Sequence, residues 1–199
     1  MKLKEIKCKL QEVKGFENPN INLEQYITPP DIAASIIYTA HVRYDDIQNK
    51  NILDMCCGTG MLTYGISFFN PFHITCADVC MNALRGCRDN ILNLNIENVS
   101  MLRMDFTRLP FSYKKFDVVF MNPPFGTKQA HADTRALESA LYLSDTVYSL
   151  HKSSTRSFIL KRFPSAEVIA CIKYDLPSTY SFHKKKNVAI EVDLIRIKV

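Results

Sequence analysis

The sequence has no tryptophan and only 6 glycines among 199 residues. Nowhere does an apolar run approach the ~20 residues that cross a bilayer, so an integral membrane protein is excluded. The opening MKLKEIKCKL alternates lysine with Leu and Ile and has no unbroken apolar stretch, so no secretory signal is expected there. No GK[ST] follows a glycine turn, which argues against a nucleotide-triphosphate loop. No paired CxxC units occur, and the 7 cysteines are odd in number and lie in apolar segments. They read as reduced thiols packed as small hydrophobes, with neither a disulfide nor a bound metal expected. Internal repeats and Gly/Ser linkers are missing too. We therefore expect one domain over 1–199, with an N-terminal helical extension over 1–45 and a core over 46–199.

What is present suits a packed protein. Hydrophobic residues make up 47% and charged residues 23%, which rules out wholesale disorder. Lys plus Arg number 25 against 20 Asp plus Glu, a net +5 that permits contact with a polyanion without demanding it. Lys184, Lys185 and Lys186 are consecutive.

Leu3, Ile6, Leu10 and Val13 recur at helical spacing, and the helix is expected to end at Gly15. Asp31, after Pro29 and Pro30, is the expected N-cap of a second helix. From Asn51 short buried strands alternate with helices: NILDM, HITCAD, VSMLRMD and FDVVFMN are strands, and DTRALESALYLSDTVYSL begins as a helix and turns to strand at its VYSL end. VIACIKYDL and NVAIEVDLIRIKV close the chain, the last reading as a sheet-edge strand. This alternation predicts an α/β, Rossmann-like, mostly parallel sheet covered on both faces, with an antiparallel C-terminal hairpin.

The chemistry is expected at the carboxyl ends of the strands. Asp54-Met-Cys-Cys-Gly58-Thr-Gly60 joins the first strand to a helix, and small residues there let the backbone approach a ligand. Asp78 ends the second strand, placed for ribose hydroxyls, and Asp105 ends the third, placed for an adenine amino group. The fourth ends in Asn122-Pro123-Pro124-Phe125. Two prolines cannot continue a central strand, so the chain leaves the sheet in a rigid form. The Asn122 side-chain oxygen and the Pro123 carbonyl then form a pair of acceptors suited to a planar NH2 group, with the Phe125 ring beside them for stacking.

DxxxGxG, Asp78 and the NPPF corner together resemble the amino-group methyltransferases that use S-adenosylmethionine on adenine, guanine or glutamine nitrogens. LEQY-x-T (23–28), YDDI (44–47), NPPFGTK (122–128), YSLHKSSTR (148–156), YDLP (174–177) and FHKKK-x-V-x-IEVDLIR (182–196) narrow the resemblance. Over nearly the whole chain they are similar to the 18S ribosomal RNA adenine-N(6) methyltransferases, the methyltransferase-like protein 5 family. That resemblance implies that Gln25 and Thr28 close over the cofactor. It gives the methionine portion to the turn Cys56, Gly58, Thr59, Gly60 and Met61, the ribose to Asp78, and the adenine to Asp105 with Phe106. Asn122, Pro123, Pro124 and Phe125 hold the target base, and Lys128 and Lys184 to Lys186 meet RNA phosphates. The resemblance further implies a heterodimer with a small zinc-binding methyltransferase activator, and a nuclear, nucleolar and cytoplasmic location. Cys56 and Cys80 depart from the family, which has a glycine and an acid at those places. A glutamine-N(5) methyltransferase and a non-catalytic RNA-binding module on the same fold remain as alternatives.

Overall fold

The computed structural model of the chain describes residues 1–177 and 187–199. Helices α1 (Leu3–Leu10) and α2 (Pro30–Tyr44) precede an alternation of β1 (Asn51–Met55), α3 (Met61–Ser67), β2 (His73–Asp78), α4 (Met81–Asn93), β3 (Val99–Arg103), β4 (Val118–Met121), α5 (Ala132–Leu143) and β5 (Thr146–Lys152). Helix α6 (Arg156–Arg162) and strands β6 (Ala166–Pro177) and β7 (Asn187–Lys198) follow. The sheet runs β3-β2-β1-β4-β5-β7-β6. Its first five members are parallel, while β7 is antiparallel to both β5 and β6.

Successive residues of a strand point to opposite faces, so a sheet covered twice needs two apolar sets. Ile52, Ile74, Phe120 and Leu150 pack with Ile6, Leu10, Ile36 and Ile37 of α1 and α2 on one face. Leu53, Met55, Val119 and Val147 pack with Ala136, Leu137, Ala140 and Leu143 of α5 on the other. The chain winds from β1 to β3 in one direction and resumes at β4 on the other side of β1. That reversal opens a crevice at the carboxyl ends of β1 and β4.

Three sequence expectations are corrected. Helix α1 stops at Leu10, although Val13 is still buried beyond it in a following turn. Asp31 is not the N-cap of α2: Pro29 caps it and Pro30 takes the first helical position, where a missing N–H costs nothing. Strand β7 is not at the edge but lies between β5 and β6. Two of its polar positions, Asp193 and Arg196, which read as part of a solvent face, are paired inside the protein. Asp193 receives Arg156 Nη2 at 2.6 Å and Ser153 Oγ at 2.7 Å, and Arg196 Nη2 donates to Asp46 at 2.9 Å.

Candidate active site

The turn after β1 is held by hydrogen bonds that its sequence makes possible. Asp54 lies at the end of β1, 1% exposed, and its Oδ2 accepts from both Thr63 N (2.9 Å) and Thr63 Oγ1 (2.6 Å) in the first turn of α3. Cys57 N donates to the Ala77 carbonyl at 3.0 Å, and Gly58 N to Asp78 Oδ2 at 3.0 Å. Gly58 and Gly60 have φ of 55° and 89°. A side chain on Gly58 would strike the Phe16 ring at 2.9 Å, and one on Gly60 the Cys87 thiol at the same distance. Cys56 also lies in the left-handed region, at φ 63°, where an L side chain costs roughly 1–2 kcal/mol. That strain is the physical content of its departure from glycine.

Asp78 accepts from Gly58 N and, through Oδ1, from Cys80 N at 2.8 Å, so it ties the first two strand ends together. Burial pushes its carboxyl above the ordinary value, and the backbone donors offset only part of that rise. Asp105 is exposed and accepts from Thr107 N and Oγ1, both at 2.8 Å. The backbone donor of Thr107 is the chief cause of its lowered pKa.

Asn122, the first residue after β4, donates from Nδ2 to Thr28 Oγ1 at 2.9 Å, which orients the carboxamide with Oδ1 as its acceptor end. The following loop is latched from the N-terminal segment. Glu24 accepts from Phe125 N (3.1 Å) through Oε2 and from Lys128 N (3.0 Å) through Oε1. Gln25 accepts from Asn20 N at 2.8 Å, which folds the segment 20–28 into a compact cover.

These parts enclose one cavity of about 400 Å³. Gln25, Thr28, Cys56, Gly58, Thr59, Met61, Asp78, Asp105, Phe106, Asn122 and Pro124 all line it. The expected cofactor and base positions are thus brought together, with exceptions. Gly60 faces α4, where close packing against Cys87 explains it. Pro123 is buried outside the lining. Phe125 is 5% exposed and packs in the core with its ring centroid 5.8 Å from that of Tyr26, so it does not present the stacking face expected of it. Tyr26 is the aromatic lining the cavity on that side. Lys128 is exposed and outside the lining, and Lys184, Lys185 and Lys186 fall outside the described residues.

Sequence reasoning missed Phe16, Glu24, Tyr26 and Arg135, all of which line the cavity. Glu24 and Tyr26 stood in a quoted motif, but nothing local tells that a glutamate will reach across to Phe125 and Lys128.

Burial is the main force on Asp54 and pushes its carboxyl up to about 8, against the opposing pull of the Thr63 donors. In the unfolded chain the group titrates near ~4. A carboxyl whose folded pKa is raised contributes stability in full below the unfolded value and loses it as pH climbs through the folded one. Wild type should therefore weaken between about pH 4 and 8 relative to Asp54→Asn, which cannot titrate. Urea midpoints for the pair measured at pH 5 and pH 9 check this; a pH-independent gap between them refutes it.

Residues 30–146 match the family model described as the methyltransferase small domain. The chain is 45% identical to the rRNA N(6)-adenosine-methyltransferase METTL5 of Danio rerio, with 98% of each chain covered. It is 40% identical to the rRNA N(6)-adenosine-methyltransferase of Drosophila melanogaster, covering 100% of this chain and 97% of that one. Among solved structures, a candidate RNA methyltransferase from Pyrococcus horikoshii superposes with a TM-score of 0.87 at 32% identity, covering 100% of this chain and 98% of the other.

Proposed function

The chain belongs to the methyltransferase small domain family and is by that kinship an S-adenosylmethionine-dependent rRNA N(6)-adenosine methyltransferase; we propose that its target is a single adenosine of 18S ribosomal RNA. One observation carries the reading: the acceptor corner at Asn122 opens into the same cavity as the acids at the ends of β2 and β3. The cavity fits the cofactor. It holds the half-buried carboxylate of Asp78 at a strand end, backbone made approachable by Gly58, and a Thr59 Oγ1 with no hydrogen-bond partner among the described residues. In our reading Asp78 holds the ribose, Asp105 and Phe106 the adenine, and residues 56–61 the methionine portion, with Gln25 and Thr28 above them.

When bound, the cofactor supplies a methyl group on a positively charged sulfur. The residues of this chain present the nucleophile to it. An adenine amine is weak because its lone pair is shared with the ring. In our reading the Asn122 Oδ1, which lines the cavity, accepts an N–H of the amine, favours a pyramidal nitrogen and directs its lone pair at the methyl carbon, while Pro123, buried outside the lining, keeps the corner rigid. The acceleration then comes from positioning and fixed dipoles. In our reading Phe125 serves this arrangement by backing Tyr26, whose ring lines the cavity and would stack on an unstacked base.

Lys128 and the run Lys184 to Lys186 are proposed to meet RNA phosphates, contacts that are blind to sequence and sensitive to salt. Replacing the three consecutive lysines with alanine should weaken capture of ribosomal RNA at physiological salt and flatten the dependence of log K on log salt. Filter binding across a salt series measures both, and superimposable wild-type and variant curves would remove the lysines from the interface.

The small zinc-binding activator is proposed to join at β3, which pairs only with β2 among the described strands and leaves Met101 39% exposed. We place the protein in the nucleus, nucleolus included, and in the cytoplasm, where small-subunit RNA is made and used. The function is tested by nucleoside analysis of ribosomal RNA from cells lacking the protein. One N(6)-methyladenosine should disappear from 18S RNA, and an unchanged modification map would overturn the reading. Loss of methylglutamine from a release factor instead would favour the glutamine-N(5) alternative.

A further inference from the structure

The segment YSLHKSSTR is a motif of the chain to which the site described so far gives no task. Its strand β5 carries two polar groups into the apolar layer beneath α5, where they meet a third from the helix itself. Ser149 is 1% exposed, His151 0%, and Asp133, in the first turn of α5, 7%. Ser149 Oγ lies 2.8 Å from His151 Nε2, and His151 Nδ1 faces Asp133 Oδ2 at 3.6 Å. Burying three such groups is costly compared with an aliphatic filling, so their arrangement calls for a use.

Their position suggests what that use is. Ser149 is the register partner of Met121, the last residue of β4 before Asn122. Asp133 lies at the far end of the same loop, with Oδ1 3.5 Å from where a side chain on Gly126 would begin. The loop 122–131 is thus bounded on the outside by Glu24, which accepts from Phe125 N and Lys128 N, and on the inside by the imidazole facing Asp133. The other charged group beside the ring, its register partner Asp193 on β7, is already engaged by Arg156 and Ser153.

We infer that His151 is a positioning residue: braced by Ser149 through Nε2, it holds the start of α5 through Asp133 and thereby sets the placement of the Asn122 corner. In this structure Nδ1 has no hydrogen-bond partner among the described residues and stands just beyond bonding distance from Asp133. A small inward movement of the loop closes that gap, so the link tightens when a base is seated. Contacts of this kind are often long before the substrate arrives.

The inference rests on the methyltransferase reading, and the experiment separates the two. Full-length chain, co-expressed with the activator, is assayed on ribosomal RNA from cells lacking the protein, and cofactor affinity is measured by calorimetry. Wild type without methyl transfer would overturn the functional reading itself. Given an active wild type, His151→Gln, which keeps a group at the Ser149 side and loses the donor facing Asp133, should lower kcat by roughly 10²-fold, the scale of a misplacement near 1 Å. Its KM for RNA and its cofactor Kd should stay within about threefold of wild type. His151→Asn restores a donor at the Nδ1 position and should recover kcat to within about threefold. Asp133→Asn should reproduce the kcat loss and serves as the deciding variant where the histidine replacements fail to fold. Equal activity of the Gln and Asn variants, or a fall in cofactor affinity parallel to kcat, overturns the assignment.

Discussion

Replacing Asn122 with alanine should lower methyl transfer by roughly 10²–10³-fold, the loss that follows removal of one fixed dipole aimed at a reacting centre. The residue offers an acceptor at the carboxyl end of β4, and its orientation is set by donation from Nδ2 to Thr28 at 2.9 Å. Alanine removes the acceptor while the prolines keep the corner. The amine would then sit in the pocket with one N–H unpaired and its lone pair still shared with the ring. Cofactor affinity should change little, because the turn 56–61, Asp78 and Asp105 are untouched. Single-turnover methylation beside a cofactor titration separates the two effects. Activity above a tenth of wild type would show that the corner does not align the nucleophile.

Asp46→Ala should cost about 3–5 kcal/mol of folding stability, the range for leaving one member of a buried ion pair alone. Asp46 is 7% exposed and its Oδ2 accepts from Tyr148 Oη at 2.6 Å, Arg196 Nη2 at 2.9 Å and Arg196 Nε at 3.1 Å. The Arg196 guanidinium also lies over the Tyr44 ring at 4.1 Å. The cluster therefore fastens the segment after α2 to β5 and β7, which are distant in sequence. Without the carboxylate the guanidinium, 11% exposed, keeps its Nε donation to Tyr148 Oη at 2.9 Å but loses its compensating charge. Removing both charges with Asp46→Ala and Arg196→Met should cost less than the single change. Urea unfolding of the single and double variants tests this, and a single-variant loss under about 1 kcal/mol would mean that water replaces the carboxylate at no penalty.

The strand-and-helix order was legible because both periodicities are strong where a face is buried. NILDM and FDVVFMN are apolar on both sides, as strands covered twice must be. β7 misled because alternation records polarity and not exposure: Asp193 and Arg196 look like a wet face until Arg156 and Asp46 are seen to neutralise them. The NPPF corner was readable as the place where the chain leaves β4, with Asn122 lining the cavity, but the direction of the Phe125 ring was not. That ring is turned inward by packing in a core shared with Tyr26, which comes from the N-terminal segment, far away in sequence.

Local chemistry in the sequence was enough to determine where backbone leaves a strand, which turns need glycine, and which acids stand at strand ends. These follow from torsional limits and residue types that act over a few positions. Only the tertiary structure decided that Glu24 latches the loop after β4, that β7 lies inside the sheet, and that a buried imidazole sits between Ser149 and the first turn of α5. Each of these joins groups far apart in sequence, and a hydrogen bond or ion pair between such groups exists only once the sheet has brought them within a few ångströms in a place water does not reach.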